Sequence, residues 1–440
     1  MELAGRRVTV MGLGRHGGGV AAARWLAERG AIVTVTDLAD ERTLSDSIAE
    51  LAGVSIAAWH LAGHRDADFT EADLVVVNPA VRPDNRFVAA AHAANVPTTL
   101  EIELFLGCCR GRVIGVTGSN GKSTTAAMIA EILAADGRRN WFGGNIGRSL
   151  LADLDAITAA DWVVLELSSF QLARLSRGVR WPEMAVVTNC TANHLDWHGS
   201  MEAYASAKQR LLLEQSACGV AVLNGGDPIV RSWHQLARGQ VLMVDGDNDV
   251  PELKLPGEHN RRNAACAAAA ARRAGCSPDA IRRGLESFRG LPHRLELVAE
   301  IDGRRFYNDS MATTPESVMA AVDTFANKPW LLVGGHDKGF DFAPLAAKLA
   351  RQARGVACYG AVRERMMTMI EDQPAPRCRC ESFVELADAL QWCWLQSRAE
   401  EVIVLSPACA SYDQFRDYRH RGETFAILAR ALAQRGAPAR

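Results

Sequence analysis

A chain of 440 residues with 48% hydrophobic and 23% charged side chains has material for two or three cored domains and is not a disordered composition. A net charge of −2 supplies no bulk basic field, which argues against nucleic acid or an anionic membrane surface as partner. Eleven cysteines, scattered and without a CxxC pair, fit buried thiols in a reducing compartment better than disulfides or zinc. The N-terminus enters a strand at once and shows no signal-peptide pattern. No apolar run approaches a membrane span. The expected compartment is therefore the cytoplasm, with no membrane insertion.

In chain order, Arg7 to Met11 reads as a short apolar strand leading into GLGRHG. Gly12, Gly14 and Gly17 fit GxGxxG, a helix follows, and the next strand ends in Asp37. A tight turn, a helix N-terminus for an anion and an acid for a ribose make a dinucleotide fingerprint. Three readings stay open: a nicotinamide site, a plain structural βα turn, and another nucleotide such as a uridine diphosphate sugar. Strand ADLVVVNP, helix 86–94, strand 96–99 and helix 100–107 carry this first α/β unit to residue 110.

The second unit, 111–294, opens on VIGVTGSNGKSTT, residues Val113 to Thr125. A strand, a loop with Gly118 and Gly121, then Lys122, Ser123 and Thr124 before a helix describe a phosphate cradle. Glycines admit backbone N–H groups to phosphate oxygens, the lysine adds a cation, and the hydroxyl can ligate Mg²⁺. The usual early glycine is replaced by Val116. Strand DWVVLELSSFQL places Glu166 within or at the end of an apolar run. A buried acid there needs a partner or a metal. Strand MAVVTNC feeds a polar loop with His194, Asp196 and His198. Helix 200–215 then carries Lys208 on its apolar stripe with Tyr204, Leu211 and Leu212. A snorkelling stem and a lysine turned inward for chemistry are both open readings.

The third unit, 295–440, begins with a hairpin in RLELVAEIDGRRFYNDS. It continues through helix 315–325, strand PWLLVGG, loop HDKGFDF, helix 344–352, strand GVACYG, helices 361–370 and 383–397, strand EVIVLSPACAS and helix 421–434.

These stretches together resemble the Mur ligase family of peptidoglycan synthesis. TGSNGKST is similar to the family's ATP loop, which accounts for the absent early glycine. GGNIG, LELSSFQL, NHLD, YASAKQRLLLEQ, GEHNRRNAACA, GLPHRLE, NDSMAT, GGHDKGFDF and LSPACASYDQF follow in the family's order. The pattern is most similar to members that join glutamate to UDP-N-acetylmuramoyl-L-alanine. The resemblance implies a three-domain α/β fold. A Rossmann-like domain holds the UDP-sugar, a central P-loop ATPase-type domain holds ATP, and a C-terminal Rossmann-like domain holds the amino acid. It implies a monomer that phosphorylates the substrate carboxylate with ATP and lets the amine of glutamate attack the acyl phosphate.

Carried over by residue, the resemblance gives Gly118, Ser119, Asn120, Gly121, Lys122, Ser123 and Thr124 to the phosphates, and Asn263, Arg294 and Asp309 to the rest of ATP. Ser123, Glu166, His194 and a Lys208 carbamylated by CO₂ are implied around two Mg²⁺ ions, with Lys122, Glu166, His194 and Lys208 as the catalytic set. Gly14, Arg15, His16, Asp37, Asn145 and Ser168 are implied to face the UDP-substrate. Thr313, Lys338, Ser411 and Tyr418 are implied to hold the incoming glutamate, with the D enantiomer expected. Several positions depart from the pattern. Met311 stands where lysine is usual, Tyr418 where phenylalanine is usual, and Ala192-Asn193 where acids are common. Arg15 and His16 replace small or apolar residues. Met311 motivates the alternative of L-glutamate or another amino acid.

Overall fold

The computed structural model describes residues 2–435 except 15–16, 147, 247–249, 256, 338–339 and 375–377. It builds three sheets. Strands β1 (Arg7–Met11), β2 (Ile32–Thr36), β3 (Ala58–His60), β4 (Leu74–Val77) and β5 (Thr98–Thr99) form the first, in the order β3-β2-β1-β4-β5. All its pairings are parallel. Helices cover both faces of such a sheet, so its central strands read as unbroken apolar runs; LVVV in β4 is buried at every position. Strand order reverses at β1, which puts the turn after β1 at the point where open α/β sheets bind ligands.

The second sheet contains β6 (Arg112–Thr117), β7 (Asn140–Gly144), β8 (Trp162–Glu166), β9 (Met184–Val187), β10 (Val220–Asn224) and β11 (Gln240–Val244). Its order is β11-β10-β9-β6-β8-β7, again all parallel. Here β6 lies between β8 and β9, so the loop after β6 meets the ends of both. One apolar core runs from Leu3 through Trp233 and joins the first two sheets. The chain accordingly divides into two compact units, Met1–Val250 with Arg262–Leu285, and Pro251–Arg261 with Glu286–Arg440.

The second unit holds the third sheet: β12 (Glu296–Ile301), β13 (Arg304–Asn308), β14 (Trp330–Gly334), β15 (Gly355–Tyr359), β16 (Arg379–Phe383) and β17 (Val402–Ala408). Its order is β12-β13-β17-β14-β15-β16. Only the edge pair β12–β13 is antiparallel among these pairings. That pair is the hairpin expected from the sequence. Asp302 and Gly303 turn it with φ of 48° and 73°, the left-handed values that match the twist of a two-residue loop.

Four strands were not expected from the sequence: β3, β7, β11 and β16. All four are sheet edges, and their residues are mostly half-buried rather than buried. An edge strand has one neighbour and no need of an apolar run. All eleven cysteines are free, and only Cys108 and Cys218 are exposed. No helix among the described residues is long and apolar enough to cross a membrane.

Candidate active site

The loop between β6 and the helix Lys122–Ala135 is shaped by glycine at two positions. Gly118 has φ of 152°, and a Cβ there would lie 2.0 Å from Thr188 Oγ1. Gly121 has φ of 78°, and a Cβ there would lie 2.3 Å from Asn263 Oδ1. Only glycine meets both demands, the backbone conformation and the close approach. The neighbouring strand β9 fixes the loop from below. Thr188 Oγ1 donates to Asn120 O (2.6 Å) and Asn189 Nδ2 donates to the same carbonyl (2.9 Å). Asn120 N–H donates to Asn189 Oδ1 at 2.8 Å. Ser119 is buried, donates to Thr191 O and accepts from Thr191 N–H. Lys122 Nζ donates to Ser119 O at 2.9 Å, and Thr124 is buried in the first helical turn.

Glu166 ends β8 beside this loop, 3% exposed. Its Oε2 accepts from the Ser123 hydroxyl and its Oε1 accepts from Asn145 Nδ2 at 2.9 Å. A carboxylate at a strand end is thus held by two donors from two other segments, which offsets its loss of water.

The Lys208 side chain points inward and does not snorkel to solvent. It is 1% exposed, on the helix Met201–Leu213, and its Nζ donates to Gly118 O at 2.7 Å. The ammonium lies 4.6 Å from the centre of the Tyr204 ring. Burial pushes its pKa down to about 7, and the Lys122 charge adds to this, while Cys190 and Glu166 act in the opposite sense. The Tyr204 hydroxyl donates to Ser119 Oγ at 2.9 Å.

His194 is exposed at the start of the short helix Leu195–His198, with φ of 53°. Its ring lies 4.7 Å from Phe170 and 6.5 Å from Tyr204, the same ring that carries Lys208. Lys122, Ser123, Glu166, Lys208 and His194 are therefore brought to one end of the second sheet. Ser168 lies just beyond Glu166, but its hydroxyl caps the helix Ser169–Arg174 in a reciprocal box with Gln171.

In the first sheet, Gly14 N–H donates to Asp37 Oδ2 (3.1 Å) and Ala39 N–H to Asp37 Oδ1 (2.9 Å). The acid expected for a ribose therefore also braces the glycine turn. Asn78 Nδ2 donates to Gly12 O at 3.3 Å. Arg15 and His16 lie outside the described residues.

Asn263, in the first unit, lies against Gly121, and the remaining expected residues belong to the second unit. Asp309 follows β13, is 5% exposed, and has its pKa pushed up to about 7 by burial, against the Ser406 hydrogen bond and the Arg294 charge. Ser406 Oγ donates to Asp309 Oδ2 at 2.7 Å, and Leu295 N–H to Oδ1 at 3.2 Å. Arg421, fully buried, ties two segments together. Its Nε and Nη2 donate to Ser310 Oγ and O, and its Nη1 donates to Cys409 O. Ser310 Oγ in turn donates to Tyr418 O at 2.7 Å. Ala408 N–H donates to Ala312 O and His336 N–H to Ala410 O, both at 2.9 Å. Thr313, Ser411 and Tyr418 thus sit on segments joined at the ends of β13, β14 and β17. Lys338 lies outside the described residues. Met311 is 37% exposed on the same segment as Thr313.

Sequence reasoning missed Thr188, Asn189 and Arg421, and it read Tyr204 as an apolar-stripe residue only. The strand-end position of Thr188-Asn189 in MAVVTNC was the available signal. Nothing in the sequence marked Arg421.

Three family models match consecutive parts of the chain. They are the Mur ligase MurD-like N-terminal domain at residues 6–99, the Mur ligase middle domain at 116–249, and the Mur ligase glutamate ligase domain at 293–409. UDP-N-acetylmuramoylalanine--D-glutamate ligase from Roseiflexus sp. (strain RS-1) is 38% identical, the match covering 97% of this chain and 98% of that one. The protein of the same name from Geobacter metallireducens is 37% identical over 98% and 99%. Among solved structures, UDP-N-acetylmuramate-alanine ligase from Thermotoga maritima shares the fold with a TM-score of 0.60 at 19% identity, covering 97% of this chain and 100% of that one. MurF from Acinetobacter baumannii does so with 0.58 at 19% identity, over 97% and 93%. With three consecutive domain matches and relatives similar from end to end, this chain belongs to the Mur ligase family.

Proposed function

We propose that the protein is an ATP-dependent ligase that joins glutamate to UDP-N-acetylmuramoyl-L-alanine, forming an amide, ADP and phosphate in peptidoglycan precursor synthesis. The observation that carries this reading is the gathering of Lys122, Ser123, Glu166 and a fully buried Lys208 around one glycine loop. The names of the full-length relatives support the choice of substrates.

In this reading residues 1–110 bind the UDP-sugar, 111–294 bind ATP and 295–440 bind the amino acid. Gly14 and Asp37, with Arg15 and His16, line the nucleotide end of the UDP-substrate, and Asn145 and Ser168 face its sugar end. The loop amides of Gly118 to Ser123 and the Lys122 ammonium hold the β- and γ-phosphates. Asn263, Arg294 and Asp309 hold the nucleoside. A carboxylate is a poor electrophile, so its oxygen first takes the γ-phosphoryl group and ADP leaves. The glutamate amine, with its carboxylates held by Thr313, Lys338, Ser411 and Tyr418, then attacks the acyl carbon and phosphate departs. Lys122 faces the charge that grows during the first step.

Mg²⁺ is expected with ATP. No group of three or more His, Cys, Asp or Glu side chains suited to a metal occurs among the described residues. A hard cation that keeps waters and takes phosphate oxygens fits this set, with Ser123 and Glu166 as protein oxygens and His194 at a second ion. Such ions neutralise phosphate charge at the reacting centre. Lys208, whose ammonium is made easier to deprotonate by burial, can lose one proton and, as the amine, add CO₂ through a new N–C bond with loss of a second. That replaces a cation by an anionic oxygen donor.

The test is ADP release with UDP-N-acetylmuramoyl-L-alanine and each glutamate enantiomer. Turnover dependent on both substrates is expected, with D-glutamate favoured as in the names of the relatives. ATP hydrolysis with no amide product would overturn the reading. The alternative acceptor that Met311 motivated is not favoured, because the relatives are named for D-glutamate. Efficient turnover of L-glutamate with none of D-glutamate would reassign the acceptor.

A further inference from the structure

A second concavity lies away from the phosphate loop. It has a volume of about 450 Å³ and is lined by the ends of β4 and β5, by the helix Arg86–Ala93, by the last residues of the helices Ser169–Arg174 and Leu195–His198, and by Ala203 in the first turn of Met201–Leu213. That is within the range of small-molecule sites. None of Gly14, Asp37, Lys122, Asn145, Glu166, Ser168 or Lys208 lines it.

Its chemistry is two-sided. Val77, Val88 and Leu100 form an apolar wall, all buried. The lining also carries Arg174, Trp197 and His198. Trp197 and His198 join Phe170 in one aromatic cluster. Ring centres lie 4.5 Å apart for Trp197–His198 and 4.9 Å apart for Phe170–Trp197, and His198 stacks on Phe170 with 7° between planes. Such a cluster offers a rigid wall to a flat guest. The charge is one-signed, because the lining contains Arg174 and His92 but no Asp or Glu. Arg174 donates from Nη2 to Val81 O, yet its Nε–H is buried with no acceptor in the protein. The Arg174 guanidinium carbon also lies 5.9 Å from the centre of the Trp197 ring, so the charge adjoins the aromatic wall.

We infer that this cavity is a binding site for a small planar aromatic carboxylate, its ring against Trp197 and His198 and its anionic oxygen on Arg174. The site is separate from the nucleotide loop but not indifferent to it. Trp197 and His198 belong to the four-residue helix that starts at His194, so a guest touches the element that places His194. Occupancy is a means of regulating whatever His194 does.

Calorimetric titration of the full chain with 2-naphthoate tests this, with 2-naphthol as the uncharged counterpart. Saturable 1:1 binding of naphthoate is expected, at least ~10-fold tighter than naphthol. Ala203→Trp fills the cavity from an exposed lining position and is expected to abolish binding. Arg174→Gln is expected to bring naphthoate down to the level of naphthol. Unchanged binding in Ala203→Trp would place the guest elsewhere and overturn the assignment. Equal affinity for both probes would overturn the anionic class. No saturable binding of naphthoate to the wild type would overturn the site for planar carboxylates.

Discussion

The molecule contains two strand–glycine–helix turns that look alike in sequence and differ in what braces them. After β1, the turn through Gly12 and Gly14 is held by an acid from the next strand, Asp37, and by Asn78. After β6, the turn through Gly118 and Gly121 is held by hydroxyl and amide groups from β9 and approached by two lysines. An acid beside the first turn repels phosphate and suits a sugar hydroxyl. Cations beside the second suit polyphosphate. The glycines make both turns possible; the residues at neighbouring strand ends decide what each one holds.

The largest effect on that contrast is expected at Lys208. Lys208→Ala should lower ligation by on the order of 10²–10³, with partial recovery on adding short-chain carboxylates. ADP release in CO₂-free buffer checks it, and an active mutant would remove the carbamate from the mechanism. Next come the glycines. Gly118→Ala adds a Cβ 2.0 Å from Thr188 Oγ1 in a conformation that alone costs about 1–3 kcal/mol. Gly17→Ala, with φ of 81° and nothing among the described residues within 4 Å of the new Cβ, should cost only about 1 kcal/mol. Denaturant midpoints of the two variants should differ in that order. If Gly17→Ala proves the more damaging, the two turns have been ranked the wrong way round.

A third prediction uses pH. Lys208 is lowered from 10.5 to about 7 in the fold, so the unfolded chain binds the extra proton between those values and stability rises with pH from about 7 to 10.5. Asp309 is raised from 3.8 to about 7, so the folded chain binds the extra proton and stability falls as pH climbs from 3.8 to about 7. The two slopes meet near neutrality. In CO₂-free buffer, where Lys208 is a free amine, Lys208→Met should flatten the upper limb and Asp309→Asn the lower one in urea titrations across pH. Either variant leaving its limb unchanged would mean the group titrates normally. The smallest effect is expected at Asp37→Asn, roughly a tenfold rise in KM for the UDP-substrate with little change for ATP. A comparable rise for ATP would deny the first turn its separate role.

Much of this architecture could be read from spelling. Central strands are buried on both faces, and VIGV, WVVL and VIVL announce themselves. The edges β3, β7, β11 and β16 could not be read, because half-exposed strands need no apolar signature. The same divide holds in the site. Lys208 stood out as a lysine on an apolar stripe, but the stripe left a snorkelling stem open and only the family resemblance pointed it inward for chemistry. Asn189 and Arg421 were not, since an amide at a strand end and an arginine in a polar helix start look ordinary until their partners are known. Tyr204 fits its stripe and also holds Ser119, so its hydrophobic role concealed its polar one.

The thiol inventory gives the protein a practical property. Seven of its cysteines are buried and two are partly covered, leaving Cys108 and Cys218 open to solvent. Buried thiols such as Cys190, pushed up to about 11 by burial against the Lys208 charge, form little thiolate at neutral pH and resist alkylation. A maleimide dye added to the native protein should therefore mark two surface points, at the end of the helix Glu101–Cys108 and just before β10. Both reporters come without engineering a single residue.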